Sequence, residues 1–280
     1  MDIVQDISRL RGLIGESRNR GLPVGFVPTM GNLHAGHLSM VEEVRRRGEF
    51  AVVSIFVNPF QFGPGEDYDS YPRTLDEDAE KLRRVGADLL FTPGVGDLYP
   101  EGLDRVTRVE VPEMGKTLCG QSRPTFFRGV TTVVSILLHL VGPDYALFGE
   151  KDYQQLLIIR RMVSDLKMPI TIVPFPTVRE EDGLAMSSRN RYLTFDERQR
   201  APMLYRTLRA MGDSLAAGGS DHAAIRADGM DALTSAGFIP DYLEIRRATD
   251  LTPPEPGDRN LRILGAAWLG KARLIDNVGV

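Results

Sequence analysis

Residues 24–57, VGFVPTMGNLHAGHLSMVEEVRRRGEFAVVSIFV, contain the pattern that decides the fold of this chain. Val24 to Val27 is a short apolar run ended by a proline, which predicts a buried strand followed by a loop. Apolar residues at helical spacing then predict a helix that begins near Gly36 and ends at Gly48. The run from Phe50 to Val57 is mostly β-branched or aromatic, as in a strand covered on both faces. Strand, loop, helix and strand in this order predict a parallel βαβ unit.

The same alternation continues to about residue 176. Strands that alternate with crossover helices predict an α/β fold, a Rossmann-like nucleotide-binding domain with a parallel sheet, over residues 1–176. The further predicted elements are a first helix on Ile3, Ile7, Leu10 and Ile14, a helix from a Thr74–Glu77 capping box to Val85, strands at Asp88–Phe91, Tyr145–Phe148 and Ile170–Val173, and helices at Val130–Val141 and Asp152–Lys167.

Residues 177–280 have a different pattern, which predicts a smaller α+β C-terminal domain. A long helix is expected from the Thr194–Glu197 capping box to about Ala217, and a second helix from Asp221. Three strands of a small sheet are predicted at Tyr242–Arg247, Arg262–Trp268 and Arg273–Ile275.

Composition and charge argue against several classes of protein. The 280 residues include 34 basic and 38 acidic side chains, and a net charge of −4 gives no global support for nucleic-acid binding, which leaves only a local basic patch open. Cys119 is the only cysteine, so neither a disulfide framework nor a cysteine-rich zinc site is expected. The acidic N-terminus is unlike a signal peptide, and the most apolar run, Val133–Val141, is far shorter than the roughly 20 residues of a spanning helix. We expect a cytoplasmic protein outside the membrane.

The tetrapeptide His34-Ala35-Gly36-His37 lies between the first strand and its helix. Exposed backbone N–H groups and the positive end of the helix dipole would favour a phosphate there. Two imidazoles three residues apart share one face and could donate to the same phosphate oxygens. His34 and His37 could equally be ordinary loop residues or partners in a helix cap. A zinc site is disfavoured, because two histidines do not complete one.

Two further segments carry groups that suit phosphates. Phe148-Gly149-Glu150-Lys151-Asp152 follows a predicted strand, and Lys151 could meet a phosphate as a point charge while Asp152 accepts from ribose hydroxyls. Met186-Ser187-Ser188-Arg189 offers two hydroxyls and a guanidinium in succession, a possible anion-binding loop. The alternatives are that Asp152 only caps a helix, that Lys151 is solvated, and that residues 186–189 form a simple turn.

Amide and acidic side chains complete the candidates. Asn58 and Gln61 follow the long strand, and Gln155 follows the lysine segment, so their amides could recognise a hydroxy acid, although isolated glutamines are usually polar surface. Glu77 and Asp78 lie in the first turn of a predicted helix, where most acids simply favour the dipole, and a magnesium role for Asp78 is a weak inference.

Taken together, these segments resemble the pantoate–β-alanine ligase (pantothenate synthetase) family over nearly the whole chain. The motifs that carry the resemblance are Pro28-Thr29-Met30-Gly31-Asn32-Leu33-His34-Ala35-Gly36-His37, Phe56-Val57-Asn58-Pro59-Phe60-Gln61-Phe62, Tyr71-Pro72-Arg73-Thr74, Phe148 to Gln155, Asp182 to Asn190, and Gly270 to Asn277.

The resemblance implies a homodimeric enzyme whose Rossmann-like domain holds the active site and whose smaller domain covers it as a lid. Pantoate would attack the α-phosphate of ATP to give pantoyl adenylate and pyrophosphate, and β-alanine would then displace AMP to give pantothenate. Mg²⁺ would accompany ATP.

The resemblance also implies roles for individual residues of this sequence. It gives catalytic roles to His37, His34 and Lys151, with His37 as the proton donor. The implied ATP-binding residues are Met30, Gly31, Asn32, Leu33, His34, Ala35, Gly36, His37, Gly149, Glu150, Lys151, Asp152, Val178, Met186, Ser187, Ser188 and Arg189. Gln61 and Gln155 would bind pantoate, Gln61 would also lie near β-alanine, and Asp78 is the candidate carboxylate near the metal.

One position departs from the family pattern, in which a histidine precedes the phenylalanine of the Arg-Pro-x-His-Phe motif. Here the segment is Arg123-Pro124-Thr125-Phe126-Phe127, so Phe126 replaces that histidine and the positioning of groups near Arg123 is open. Two other functions stay possible at this point. One is another adenylyl-transfer enzyme, such as a nucleotidyltransferase or a class I aminoacyl-tRNA synthetase, and the other is a nucleotide-binding module without catalysis.

Overall fold

The computed structural model describes residues 1–63 and 65–280, and it divides the chain into two compact units. The first unit contains Met1–Gly149 and Ile158–Phe175, and the second contains Glu150–Leu157 and Pro176–Val280. The sequence-based boundary lies after residue 176. The structure therefore groups the segment 150–157 with the C-terminal residues, whose side chains hold it as described below.

The first unit is built on a six-stranded parallel sheet, as the alternating pattern predicts, with the strand order β1-β4-β3-β2-β5-β6. Its strands are β1 (Asp2–Val4), β2 (Val24–Thr29), β3 (Phe50–Ile55), β4 (Leu89–Phe91), β5 (Tyr145–Gly149) and β6 (Thr171–Phe175). Its helices are α1 (Ile7–Asn19), α2 (Ala35–Arg46), α3 (Leu75–Arg84), α4 (Val95–Leu98), α5 (Cys119–Ser122), α6 (Phe126–Val141) and the Ile158–Asp165 part of α7 (Tyr153–Asp165).

The prediction for the N-terminus was wrong at its first residues. Ile3 lies in the short edge strand β1 and is 43% exposed, whereas the helix begins only at Ile7. The strand ends at Val4, and Asp6 caps the helix, because its carboxylate accepts a hydrogen bond from the N–H of Arg9 at 2.7 Å. The spacing of Ile3 continues the helical pattern of α1, so periodicity alone could not separate the two elements.

One part of the core of the first unit lies between the sheet and helices α2 and α3. Val44 of α2 and Leu82 of α3 are fully buried against apolar residues of β2, β3 and β4. This packing fixes the two helices on the sheet. It therefore determines where the loops after β2 and β3 begin.

The second unit has a three-stranded antiparallel sheet with the order β7-β8-β9. The strands are β7 (Ile239–Arg247), β8 (Leu261–Leu269) and β9 (Ala272–Gly279), and the helices are α8 (Phe195–Arg200), α9 (Met203–Ala216) and α10 (His222–Ser235). The single long helix predicted here is two helices, because Pro202 lacks an N–H and interrupts the backbone ladder. The Thr194–Glu197 capping box is confirmed.

Among the described residues, no helix combines the length and apolar character needed to cross a bilayer.

The packing of α3 gives a test of this core. Leu82→Ala removes a fully buried side chain, and the cavity that remains should lower the free energy of unfolding by about 2–5 kcal/mol in urea denaturation. Leu75→Ala in the same helix is the control, because Leu75 is 40% exposed and should cost less than about 1 kcal/mol. Equal losses for the two variants would contradict the assignment of Leu82 to the core.

Candidate active site

His34 and His37 lie side by side at the N-terminus of α2. Their ring centroids are 4.1 Å apart, and both side chains are half-buried. His34 is the N-cap residue, and its Nδ1 accepts the N–H of Gly36 at 3.2 Å. The Nδ1 of His37 accepts the N–H of His34 over a longer distance of 3.5 Å. Because each Nδ1 acts as an acceptor, the neutral form of each ring carries its proton on Nε2. Both imidazoles can therefore donate through Nε2, and the cap is part of the geometry that makes them donors.

The turn before these histidines is held by a buried carboxylate from α3. Asp78 is fully buried, and its two oxygens accept the N–H groups of Asn32 at 2.7 Å and Leu33 at 2.8 Å. The Nζ of Lys81 lies 3.7 Å from Asp78 and donates to the carbonyl of Leu33 at 3.0 Å. The amides of Asn32 and Leu33 are thus already bonded within the protein. Asp78 and Lys81 together fix the shape of the turn that precedes the two histidines.

Gly31 is required at the start of this turn. Its φ is +83°, and a Cβ there would lie 3.0 Å from Ile55 Cγ2 and 3.2 Å from Asp78 Oδ2. A side chain would thus meet both the neighbouring strand end and the buried carboxylate. The adjacent Asn32 has a φ of +51°, which asparagine tolerates better than most residues.

Asp78 does not fit the metal role suggested by the sequence. Both of its oxygens accept backbone N–H groups, and Oδ2 also accepts the hydroxyl of Thr74 at 3.0 Å. Over the described ranges 1–63 and 65–280, no group of three or more His, Cys, Asp or Glu side chains could hold a metal ion. The predicted Thr74–Glu77 capping box is also wrong, because the Thr74 side chain bonds to Asp78 instead of capping the helix.

The turn after β3 is organised by Asn58, which is almost completely buried. Its Nδ2 donates to Gln61 Oε1 at 3.2 Å and to the carbonyl of Gly129 at 3.1 Å. Its Oδ1 accepts the hydroxyl of Tyr99 at 2.8 Å. Burial raises the pKa of Tyr99 well above its ordinary value, so this hydroxyl stays protonated and donates. Because Asn58 occupies Oε1 of Gln61, the end of Gln61 that remains suited to a ligand is the donor Nε2.

Helix α6 packs directly against this turn. A Cβ on Gly129 would lie 2.4 Å from the carbonyl oxygen of Phe60 and 2.7 Å from the Cα of Gln61. Only glycine lets the two backbones approach this closely. The short 3-10 helix Pro59–Gln61 is therefore fixed on α6 by shape as well as by hydrogen bonds.

The second unit holds the lysine segment by means of β9. Asn277 is buried, and its Nδ2 donates to the carbonyls of Glu150 and Lys151, both at 2.9 Å. Arg262 donates to the Glu150 carboxylate at 3.3 Å, and its guanidinium lies 4.0 Å from the centre of the Tyr153 ring. The Nζ of Lys151 is 3.6 Å from Oδ2 of Asp152, so these two residues, both predicted to bind ATP, form an ion pair with each other.

The segment 178–189 folds back on itself within the same unit. The N–H of Met186 donates to the carbonyl of Val178 at 3.0 Å, so the two residues expected near adenine are neighbours. The Asp276 carboxylate pairs with Arg179 at 2.6 Å, and Arg179 also donates to the carbonyl of Gly183 at 3.0 Å.

Two of the predicted phosphate-binding segments meet within the second unit. Ser187 caps the short 3-10 helix Ser188–Tyr192 by accepting the N–H of Arg189 at 3.3 Å. Lys151, Ser187 and Asp276 line one small cavity of about 10 Å³. Gln155, the other predicted pantoate ligand, is half-buried in the first turn of α7.

The residues that hold these groups in place could not be identified from the sequence. Tyr99, Arg262 and Arg179 carried no signal in the sequence, because their partners are distant along the chain. Asp276 and Asn277 stood inside a motif of the family resemblance, but without any role. That motif was the only sequence feature that could have indicated a role for them. A buried Asp-Asn pair on a strand requires hydrogen-bond partners.

Comparisons with known proteins agree on one family. A family model described as pantoate-beta-alanine ligase matches residues 2–279. The chain is 55% identical to the pantothenate synthetase of Pseudomonas paraeruginosa strain DSM 24068 / PA7 over 280 residues, which cover 100% of this chain and 99% of that protein. It is similar to the crystal structure of pantothenate synthetase from Thermus thermophilus, with a TM-score of 0.91, 49% identity and 99% of both chains covered.

A second solved structure was determined with ligands. This is the pantoate-beta-alanine ligase of Francisella tularensis complexed with beta-gamma ATP and beta-alanine. The TM-score is 0.83 and the identity is 34%, and the match covers 100% of this chain and 97% of that one.

The role of Asp78 can be tested by Asp78→Asn. The amide would turn one N–H donor toward a backbone N–H of the turn, so unfolding should become easier by about 1–3 kcal/mol in urea. Mg²⁺ should change the stability of neither the unmodified chain nor the variant. Asp76→Asn, an exposed acid in the same helical turn, is the control and should be near neutral. Stabilisation by Mg²⁺ that Asp78→Asn abolishes would restore Asp78 as a metal ligand.

Proposed function

We infer that this chain, which belongs to the pantoate–β-alanine ligase family, catalyses the ATP-dependent condensation of pantoate with β-alanine to give pantothenate. The main structural support for this function is the pair of imidazoles at the start of α2. In the neutral form of each ring, Nε2 is the donor. The ATP and beta-alanine named for the Francisella relative are the ligands that such a reaction requires.

The reaction needs an activated acid, because a carboxylate has no adequate leaving group for attack by an amine. We propose that a carboxylate oxygen of pantoate attacks the α-phosphorus of ATP. The bond to the bridging oxygen then breaks, and pyrophosphate leaves. The amine of β-alanine next attacks the acyl carbon of pantoyl adenylate, loses a proton, and expels AMP. Holding each nucleophile near its target supplies much of the acceleration.

His34 and His37 are proposed to stabilise the charge that builds on the phosphate oxygens. Each ring has its Nδ1 engaged by a backbone N–H, so Nε2–H is positioned before substrate binds and needs no reorientation. Removal of one preorganised donor of this kind from an enzyme typically lowers kcat by about 10²–10³-fold. His37 is the proposed proton donor, as the family resemblance implies.

The remaining roles are proposed for each unit separately. In the first unit, Met30 to His37 and Gly149 belong to the proposed ATP site, and Gln61 binds pantoate and lies near β-alanine through its Nε2. In the second unit, Lys151 and the 187–189 segment bind phosphates, Val178 and Met186 lie near adenine, and Gln155 binds pantoate. The support for the second set is proximity alone. Lys151 and Ser187 both line one small cavity, and the N–H of Met186 donates to the carbonyl of Val178.

Magnesium is proposed to enter as the complex with ATP. The described residues offer no cluster of ligands for a resident ion, and Asp78 is committed to the turn. A homodimeric state and a cytoplasmic location likewise remain predictions of the sequence and the resemblance.

One assay tests the function as a whole. Pantoate should support exchange of labelled pyrophosphate into ATP, and addition of β-alanine should then release AMP and pantothenate. Exchange with an amino acid or a nucleotide, and none with pantoate, would instead assign another adenylyl-transfer reaction. Binding of ATP without any exchange would assign a non-catalytic module.

His37→Ala should lower kcat by two or more orders of magnitude while the fold is retained, because it removes a donor that acts on the developing charge. The measurement is steady-state pantothenate formation, with thermal unfolding as the test of folding. His222→Ala at the start of α10 is the matched control and should leave kcat within about twofold. A near-normal rate for His37→Ala would remove this residue from the mechanism.

A further inference from the structure

Arg123 makes three different contacts beside the turn that carries Gln61. Its guanidinium pairs with Glu66, with Nε 2.6 Å from Oε1 and Nη2 bonded to the second oxygen. The same Nη2 donates to the backbone carbonyl of Gln61 at 3.3 Å. The face of the guanidinium lies on the ring of Phe126, 3.7 Å from its centre.

These contacts restrain the guanidinium at its edge and on one face. The two bonds to Glu66 hold its edge against the carboxylate, and the ring of Phe126 lies against one face. Arg123 is 17% exposed and Glu66 is 27% exposed, so solvent screens the pair only in part. The position of the Nη2 donor relative to the Gln61 carbonyl is therefore determined by its neighbours.

The same end of α6 holds the turn from two sides. Phe126 is the first residue of the helix, and Gly129 lies one turn further on, where the backbone of Phe60 and Gln61 packs against it. Asn58 bonds to the carbonyl of Gly129 and to the side chain of Gln61. Asn58 and Gly129 thus fix the side chain and Cα of Gln61, and Arg123 fixes its carbonyl.

We propose that Arg123, held in place by Phe126 and Glu66, is a positioning residue that sets the orientation of Gln61 toward pantoate. The inference rests on the proposed role of Gln61 as a pantoate ligand. Arg123 acts through the turn, because Nε and Nη2 are engaged by Glu66 and Gln61. Phe126 supplies an uncharged aromatic face, so a planar ring that carries no positive charge lies against the guanidinium.

Phe126→Leu is the direct test, since it keeps an apolar side chain of similar size and removes the aromatic face. The KM for pantoate should rise about tenfold, whereas kcat and the KM for ATP should stay within about twofold. Phe126→Tyr keeps the ring and should restore the KM for pantoate to within about twofold. A residue that only supports the fold would not produce this split between the two substrates.

The controls separate this inference from other causes. Phe195→Leu makes the same change at a ring that is 78% exposed and should leave both KM values unchanged. Thermal unfolding of every variant checks the fold. If Phe126→Leu does not fold, Glu66→Gln gives the second measurement, because it weakens the ion pair with Arg123 and should also raise the KM for pantoate selectively.

Different results of these measurements would overturn the positioning role of Arg123, the proposed function, or the role of Gln61. A normal KM for pantoate in folded Phe126→Leu, or in Glu66→Gln where the first variant does not fold, would overturn the positioning role while the unmodified chain still made pantothenate. Absence of pantothenate formation by the unmodified chain would instead refute the proposed function. Gln61→Ala is measured alongside, and an unchanged KM for pantoate in that variant would overturn the premise about Gln61 itself.

Discussion

The buried carboxylate of Asp78 is the interaction on which the histidine pair depends. It belongs to the first turn of α3, yet its two oxygens satisfy the N–H groups of Asn32 and Leu33 in the turn that precedes α2. Without it, two backbone donors in a largely buried turn would lack acceptors, at a cost of about 1–3 kcal/mol each. The packing of α2 and α3 on one sheet face brings the carboxylate to that turn. In the first unit, the packing of the core therefore also determines the geometry of the turn before the histidines.

In the second unit, the Asp276-Asn277 pair on β9 holds loops in place in a similar way. Asn277 holds the carbonyls of Glu150 and Lys151, and Asp276 holds Arg179, which in turn bonds to Gly183. Two loops that are far apart along the chain are therefore attached to adjacent residues of one strand. A strand positions its neighbours more rigidly than a loop can, because its own ladder is complete on the β8 side. In both units, polar groups from regular elements determine the shape of loops.

The sequence predicted the regular elements well, because apolar periodicity reports burial directly. The parallel sheet, α2 and the strands of the small sheet follow from the runs at Val24–Val27, Phe50–Val57 and Arg262–Trp268. Periodicity gave the wrong element at Ile3. The spacing of this residue continues the helical pattern of α1, although the residue lies in a strand.

The candidate site was predictable only in part. Its loops could be located from motifs, and His34 and His37 were correctly expected on one face. The partners that orient these groups could not be found, since Asp78 and Asn32 are 46 residues apart and nothing local links them. The Thr74–Glu77 spacing even suggested a capping box, because sequence does not show that Asp78 takes the Thr74 hydroxyl. Long-range polar pairing depends on the fold that the apolar pattern produces.

The contacts of Asp78 also bear on the proposed role of the imidazoles as donors. A helix start usually offers its free N–H groups to an anion, but here a protein carboxylate already takes two amides of the preceding turn. Part of the positive potential of this region is thereby offset within the protein. Imidazole Nε2–H groups extend further from the main chain than backbone amides, and in the proposed mechanism they donate to the phosphate oxygens on which negative charge grows. A donor that is already oriented by its Nδ1 contact interacts more strongly as that charge grows, so the proposed role favours the transition state over the ground state, which is the difference that catalysis requires.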